Sequence, residues 1–362
     1  MKKTLFIILG LDFSGAENVL LQYLNDNKEI DPYFAFIYKG NAIREFNDIF
    51  GCERIYDLNI SYKKNELRLI PKISQYRVKK ILRPIIEQIH PEIVYFNNTH
   101  EIILSGELIK ELKIPCIGHI HDMQASIGTI IKRYEAKRAF DKLTQVLTVS
   151  EACKKSWKYS RMQVVYNGVS DEYFEKNEYC DRRTPPIIGY AGMISNRKGF
   201  DLLATMIDIM GDTINWKIAY NIIEKEYVEV LDYIMAKPNV QVFCRLSRNE
   251  MQAFYDSLDI LLIPSRQDPL PTVAIEAMAR KTLVLGANTG GIPELVGSEK
   301  YLFKANSFNA MKMLVLDYCS LEQEEFKKHV NEQYKRAFRI FRNGQKKRLI
   351  NSIVLDCFLG QG

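Results

Sequence analysis

Short apolar runs alternate with amphipathic stretches along most of the chain. TLFIILG (4–10), YFAFIYKG (33–40), EIVYFNN (92–98), IPCIGHIHD (114–122), QVLTVS (145–150) and QVVYNG (163–168) are apolar runs of strand length. Between them, GAENVLLQYLND predicts a helix with Val19, Leu20, Tyr23 and Leu24 on one face. KKILRPIIEQIHP predicts a helix stopped by Pro91, and EIILSGELIKELK another. Strands that are apolar throughout need cover on both faces, so the pattern predicts α/β architecture on a parallel sheet.

The pattern then restarts. Residues 171–186 are polar, end in two prolines, and read as a linker. After them the strands IIGYAGMI, WKIAYNI, VQVFC, DILLIPS and TLVLGAN alternate with the helices GFDLLATMIDIM, YVEVLDYIMAK, RNEMQAFYDSL and TVAIEAMAR. A second doubly wound domain is expected. The predicted organisation is an N-terminal domain over 1–170, the linker, a C-terminal domain over 187–335 and a C-terminal helix over 336–362. From Leu321 to Phe358 the chain reads as helix, with Phe326, Val330, Tyr334 and Phe338 on one stripe that must dock on the body of the protein.

A length of 362 residues suits two domains of moderate size. With 47% apolar and 26% charged residues the chain falls among ordinary globular enzymes. A net charge of +6 is too weak to argue for nucleic acid, and fits an anionic substrate or an acidic membrane surface. The seven cysteines form no Cys-x-x-Cys pair, so they are expected to be reduced thiols of a cytoplasmic protein, mostly buried, with no structural zinc. The opening MKKTLFIILG places lysines before an apolar run, as a secretory signal does. The run is short and ends at Asp12, so a buried first strand explains it better. No run approaches the roughly 18 apolar residues of a membrane span.

Open α/β sheets bind ligands beyond the carboxyl ends of their strands, so the residues there carry the candidate chemistry. Gly15 opens a helix whose amides could face an anion; equally, Ser14 caps that helix and Gly15 eases a turn. His119 and His121 share a strand face and precede Asp122. They read either as functional or as satisfied structural histidines, and no third metal ligand accompanies them. Arg197 and Lys198, in a loop before a helix, suit a diphosphate or form an ordinary solvated basic loop. In DPLPTVAIEAM, Asp268 follows a strand and Pro269 and Pro271 stiffen a turn. Thr272 and Val273 offer first-turn amides, and Glu276 lies one turn further on. A phosphate above the amides, with carboxylates on nearby hydroxyls, describes a nucleotide-sugar, provided amides and basic loop neutralise the phosphate. TGGIPELV adds Gly290, Gly291 and Glu294.

The set resembles glycosyltransferase family 4, retaining enzymes of the GT-B fold. The likeness spans nearly the whole chain and is strongest from Ile187 to Val296. The family's E-x7-E turn and helix stand here as DPLPTVAIEAMA, and its Lys-Gly pair as Lys198-Gly199. GGIPELV, TVSEA, VVYNGV and GAE also match. The resemblance implies two Rossmann-like domains facing across a cleft, with the C-terminal helix crossing back to the first. It places Gly15 near the donor diphosphate and His121 near the donor sugar and reacting centre. Lys198, helped by Arg197, would bind the diphosphate and stabilise the leaving group. Asp268 would contact the sugar hydroxyls and Glu276 the ribose. The turn Leu270–Pro271 with the Thr272 and Val273 amides would meet the phosphates, and Arg245 and Leu246 would lie along the base.

This sequence departs from the family at several points. Asp268 stands for the usual Glu, and Met193 for an Arg. Tyr220-Asn221 replaces a glycine pair, and Cys244 a glycine. The resemblance implies transfer from a nucleotide-sugar, a UDP-sugar by expectation, to an acceptor hydroxyl with retention and without a metal or other cofactor; the chain contains no Asp-x-Asp pair. The acceptor is expected to be a sugar or a lipid-linked molecule of surface polysaccharide or glycolipid synthesis. The basic stretches 62–84 and 335–349 would rest on anionic lipid, or are plain solvated helix faces. Two other readings stand beside this one: a nucleotide-sugar epimerase of the same architecture, and a non-catalytic sugar-nucleotide binding module.

Overall fold

The computed structural model describes all residues except 12–14, 26, 61–70, 176–180, 345–346, 348 and 354–362. The chain forms two compact units. One comprises 1–167 together with 343–362, the other Gly168–Arg342.

The N-terminal unit holds a seven-stranded parallel sheet. Its strands are β1 (Lys2–Ile8), β2 (Ile30–Tyr38), β3 (Ile55–Ile60), β4 (Ile93–Phe96), β5 (Cys116–Ile120), β6 (Gln145–Thr148) and β7 (Met162–Val164), in the order β3-β2-β1-β4-β5-β6-β7. Central strands are sealed on both faces: Leu5, Phe6, Ile7 and Ile8 of β1 have no exposed surface, which is why they read as an unbroken apolar run. Phe6, Phe34, Phe46 and Tyr95 join one aromatic cluster. Helices Gly15–Leu24, Ala42–Phe50, Pro71–Ile89, Thr99–Leu104, Gly106–Ile109, Ile130–Phe140 and Glu151–Trp157 connect the strands. The helix expected over 79–91 begins eight residues earlier, at Pro71, and carries Pro84 inside it.

The C-terminal unit holds a six-stranded parallel sheet in the order β10-β9-β8-β11-β12-β13. The strands are β8 (Ile187–Ala191), β9 (Asn215–Tyr220), β10 (Val240–Cys244), β11 (Ile260–Ile263), β12 (Leu283–Ala287) and β13 (Leu302–Phe303). β8 and β11 are adjacent and central, so the loops after them lie side by side.

Both expected boundaries move. Residues 171–174 and 181–186 belong to the C-terminal unit rather than to a free linker. Tyr173 and Phe174 are buried, Arg182 donates to the Tyr318 carbonyl, and Asp259 accepts from Arg183 and from the Ile187 amide. The helix Gln323–Ile340 also stays with this unit, so the expected division at 335/336 falls instead at 342/343. Its buried stripe is Phe326, Val330, Gln333 and Ala337, and Phe338 is exposed. Gln333 takes the place of an apolar residue because its amide accepts from the Val284 N–H at 2.8 Å and donates to the Val284 carbonyl at 2.9 Å. Arg336 donates to the carbonyls of Glu294 and Leu295. The described residues of 343–353 are helical and return to the N-terminal unit, where Asn351 accepts from Tyr23 at 2.9 Å.

Of the five described cysteines only Cys116 and Cys153 are buried; Cys52 and Cys244 are exposed and Cys319 is intermediate, so the expectation of mostly buried thiols is corrected. Apolar filler was expected from cysteine's composition alone, but Cys52 and Cys244 lie at element ends on the surface. Among the described residues no helix is long and apolar enough to cross a membrane.

Candidate active site

The loop after β8 and the loop after β11 meet through side chains and backbone. Lys198 Nζ lies 2.5 Å from Asp268 Oδ2, and Asp268 is only 3% exposed. Arg197, exposed beside it, donates to the Gln267 carbonyl at 3.3 Å and accepts through its own carbonyl from the Arg266 amide at 2.9 Å. The Arg266 guanidinium grips Asp201 with two bonds, at 2.6 and 2.7 Å, which is the fork geometry a carboxylate matches. Arg266 thereby clamps the turn before Asp268 to the helix Phe200–Met210 that follows Lys198.

Two glycines allow this approach. Gly199 has φ of +72°, and a Cβ there would fall 2.0 Å from the Pro264 carbonyl oxygen. Gly290 has φ of +55°, and its Cβ would fall 1.9 Å from the Asp268 carbonyl oxygen. No side chain larger than hydrogen fits either place. The Gly291 amide donates to the same Asp268 carbonyl at 2.9 Å. The TGG turn thus holds the Asp268 turn from behind, while Glu294 gives its backbone carbonyl to Arg336.

Leu270 and Pro271 are buried and lead into the helix Thr272–Ala279. Pro271 stands at the cap position in an extended conformation and supplies no side-chain acceptor. The first-turn amides of half-buried Thr272 and Val273 therefore carry no side-chain cap, at the positive end of a helix that starts four residues after Asp268. Glu276, one turn on, is 5% exposed and accepts from the Tyr255 hydroxyl at 2.7 Å. Burial raises its carboxyl above the usual range, and the Tyr255 bond and the Arg248 charge oppose that rise.

The remaining sequence candidates of this unit sit elsewhere along the strand ends. Arg245, with φ of +56°, and Leu246 follow β10 at the sheet edge, two strands from β8. Exposed Cys244 and half-buried Tyr220 end the paired strands β10 and β9. Met193 gives its carbonyl to the Tyr190 hydroxyl at 2.6 Å, so the residue in the position of the family's arginine is held by its backbone.

Gly15 and His121 belong to the N-terminal unit. Gly15 is exposed at the first position of its helix; Ser14 lies outside the described residues. His119 and His121 do share a strand face, with ring centroids 4.3 Å apart. His119 is buried, and its Nδ1 lies 2.7 Å from the Tyr95 hydroxyl. His121 is half-buried, and its amide donates to Asn98 Oδ1 at 3.3 Å. The pair thus divides into a structural histidine and a more accessible one. Nearby, Glu101 is 1% exposed and accepts from the Leu9 amide at 2.8 Å. Burial, reinforced by the charge of Glu17, pushes its carboxyl up to about 8.

Comparison with known proteins places the C-terminal unit in context. Residues 171–337 match the sequence model of the family described as glycosyl transferases group 1. That match takes in nearly all of the C-terminal unit, Gly168–Arg342. Over 330 residues the chain is 26% identical to an uncharacterized glycosyltransferase of Methanocaldococcus jannaschii, covering 84% of this chain and 90% of that one. It is 23% identical over 323 residues to an uncharacterized glycosyltransferase of Haemophilus influenzae, covering 87% and 89%. The structure of the Anabaena protein HepE, in complex with UDP and glucose, superposes with a TM-score of 0.81 at 13% identity, covering 98% of this chain and 100% of that one. That likeness shows the fold: two Rossmann-like units of the GT-B type.

Within the C-terminal unit, the motif residues that sequence reading singled out occupy strand ends and one helix start. It missed Tyr255, which bonds Glu276, Arg266, which bonds the Arg197 carbonyl, and Asp201, which anchors Arg266. Arg266 had a local signal, being two residues from Asp268. Tyr255 lies 21 residues from Glu276, and no periodicity links them.

Proposed function

We propose that the protein transfers a sugar from a nucleoside diphosphate sugar, a UDP-sugar in the first instance, to an acceptor hydroxyl with retention of configuration. The observation that carries this reading is the Lys198–Asp268 pair beside the uncapped start of the helix Thr272–Ala279. An ammonium has three donors, and Asp268 takes one. The other two, with the Thr272 and Val273 amides, suit the oxygens of a diphosphate. Cations and amides already in place stabilise the charge that grows on a departing diphosphate, without metal or other cofactor. Arg197, Leu270 and Pro271 complete the donor turn, Asp268 binds sugar hydroxyls, Glu276 the ribose, and Arg245 and Leu246 the base. Asp268 reaches less far than the Glu usual in the family, but lies within hydrogen-bond range of the lysine that would share the donor with it. His121 and Gly15 keep the roles the resemblance gives them, near the donor sugar and the diphosphate.

The acceptor in this reading is a sugar or a lipid-linked molecule of bacterial surface polysaccharide or glycolipid synthesis, met on the cytoplasmic side of a membrane. The outward stripe of the helix Pro71–Ile89 supports it: Ile73 and Tyr76 are exposed among exposed Lys72, Arg77, Lys80 and Arg83. Such a face gains about 1 kcal/mol per basic residue at an anionic lipid surface. Much of the basic stretch before it, 61–70, lies outside the described residues, as do 345, 346 and 348 of the second one.

Incubation with UDP-, GDP- and ADP-sugars, following nucleotide release with and without acceptor, tests the reading. Acceptor-dependent release is expected. Equal release without acceptor would point to an epimerase, and binding without release to a non-catalytic module.

A further inference from the structure

We infer that Tyr255 is the positioning residue that holds the Glu276 carboxylate in place to receive the two ribose hydroxyls of the donor. The inference rests on the proposed role of Glu276. Tyr255 ends the helix Arg248–Asp256, next to the helix that carries Glu276, and it has no exposed surface. Its hydroxyl donates to Glu276 Oε2 at 2.7 Å. Its own place is fixed by two contacts, one on the backbone and one on the ring. Thr282 Oγ1 donates to its carbonyl at 2.7 Å. Its ring meets Phe254 edge-on at 5.7 Å, and Phe254 meets Phe243 of β10 in the same way at 5.9 Å. The tyrosine is therefore a rigid post, and the glutamate, with three rotatable bonds, is the part that needs holding.

Two consequences follow for a ligand. A carboxylate that receives one bond from a fixed phenol keeps one oxygen and the remaining lone pairs turned to a second donor, so a vicinal diol meets a preset acceptor. Without the phenol the same carboxylate would be buried with one donor fewer, a costly state that favours rotation or protonation. A protonated carboxyl presents a donor where the diol also presents donors. Tyr255 thus acts on the ribose through Glu276 and touches no part of the donor itself.

Calorimetric titration of wild type, Tyr255→Phe and Glu276→Gln with UDP and with 2′,3′-dideoxy-UDP tests this, with the matching ADP and GDP pairs run alongside. Phe keeps the ring packing and the Thr282 bond, and unfolding curves verify that each variant is folded. Wild type should prefer the ribose form of the nucleotide it binds, and Glu276→Gln should lose most of that preference. Tyr255→Phe should lose about 3- to 10-fold of it, the worth of one hydrogen bond, with dideoxy affinity unchanged. A Tyr255→Phe variant with the full preference, or one that loses both affinities alike, overturns the inference while leaving Glu276 on the ribose. No preference in wild type for any pair, or an undiminished one in Glu276→Gln, overturns the ribose role itself.

Discussion

Lys198 and Asp268, seventy residues apart in the chain, meet at 2.5 Å, the lysine from the loop after β8 and the aspartate from the loop after β11. Adjacent parallel strands bring these loops together, and Arg266 and Gly199 fix their spacing. If the ammonium stabilises the leaving diphosphate, Lys198→Ala should lower kcat/KM for sugar transfer roughly 100-fold or more. Because the substitution leaves the 3%-exposed Asp268 carboxylate without its ion pair, the thermal midpoint should fall as well, and rates are compared well below it on protein verified as folded. Transfer at the wild-type rate by a folded Lys198→Ala protein would remove Lys198 from the mechanism.

Gly290 makes a separate prediction. A methyl group there would sit 1.9 Å from the Asp268 carbonyl oxygen, in a backbone conformation that side chains disfavour. Gly290→Ala should destabilise the protein by roughly 1–3 kcal/mol, read from denaturant midpoints. It should also weaken nucleotide binding, because relief of the clash moves Asp268. Wild-type stability would mean that the TGG turn does not brace the site.

The sequence made much of this legible, and for a physical reason. Strands such as Leu5–Ile8 and Ile260–Ile263 are sealed on both faces, so burial writes itself as an unbroken apolar run. The motif around Asp268 and Glu276 is local, with proline, helix start and acid in order within nine residues. What stayed hidden depends on distant partners. Alternation put His119 and His121 on one face, but only Tyr95, a residue of the neighbouring strand, tells which is structural. Arg182 and Arg183 read as linker residues, yet they are bound to Tyr318 and Asp259. The expected tail stripe ran on through Tyr334 and Phe338, yet the buried face passes through Gln333 and Ala337, and the Val284 backbone explains the buried amide.

Glu101 supplies a pH prediction. Its carboxyl is pushed up to about 8, chiefly by burial and then by the charge of Glu17. In the unfolded chain it ionises near the ordinary glutamate value of about 4.3. Between those values the unfolded state holds fewer protons than the folded one, so the Glu101 contribution to stability falls as pH rises. Glu101→Gln, which keeps an acceptor for the Leu9 amide, should remove that fall. Its thermal midpoint relative to wild type should therefore rise from about pH 5 to about pH 8.5. A difference that is constant across this range would show that Glu101 ionises at its ordinary value in the folded protein.

The central claim is that one constellation in the C-terminal unit grips a nucleoside diphosphate sugar. A crystal structure of the protein with a bound UDP-sugar tests it most directly. The account predicts diphosphate oxygens within hydrogen-bond distance of Lys198 and of the Thr272 and Val273 amides, with the ribose on Glu276. A diphosphate bound away from these groups would contradict it.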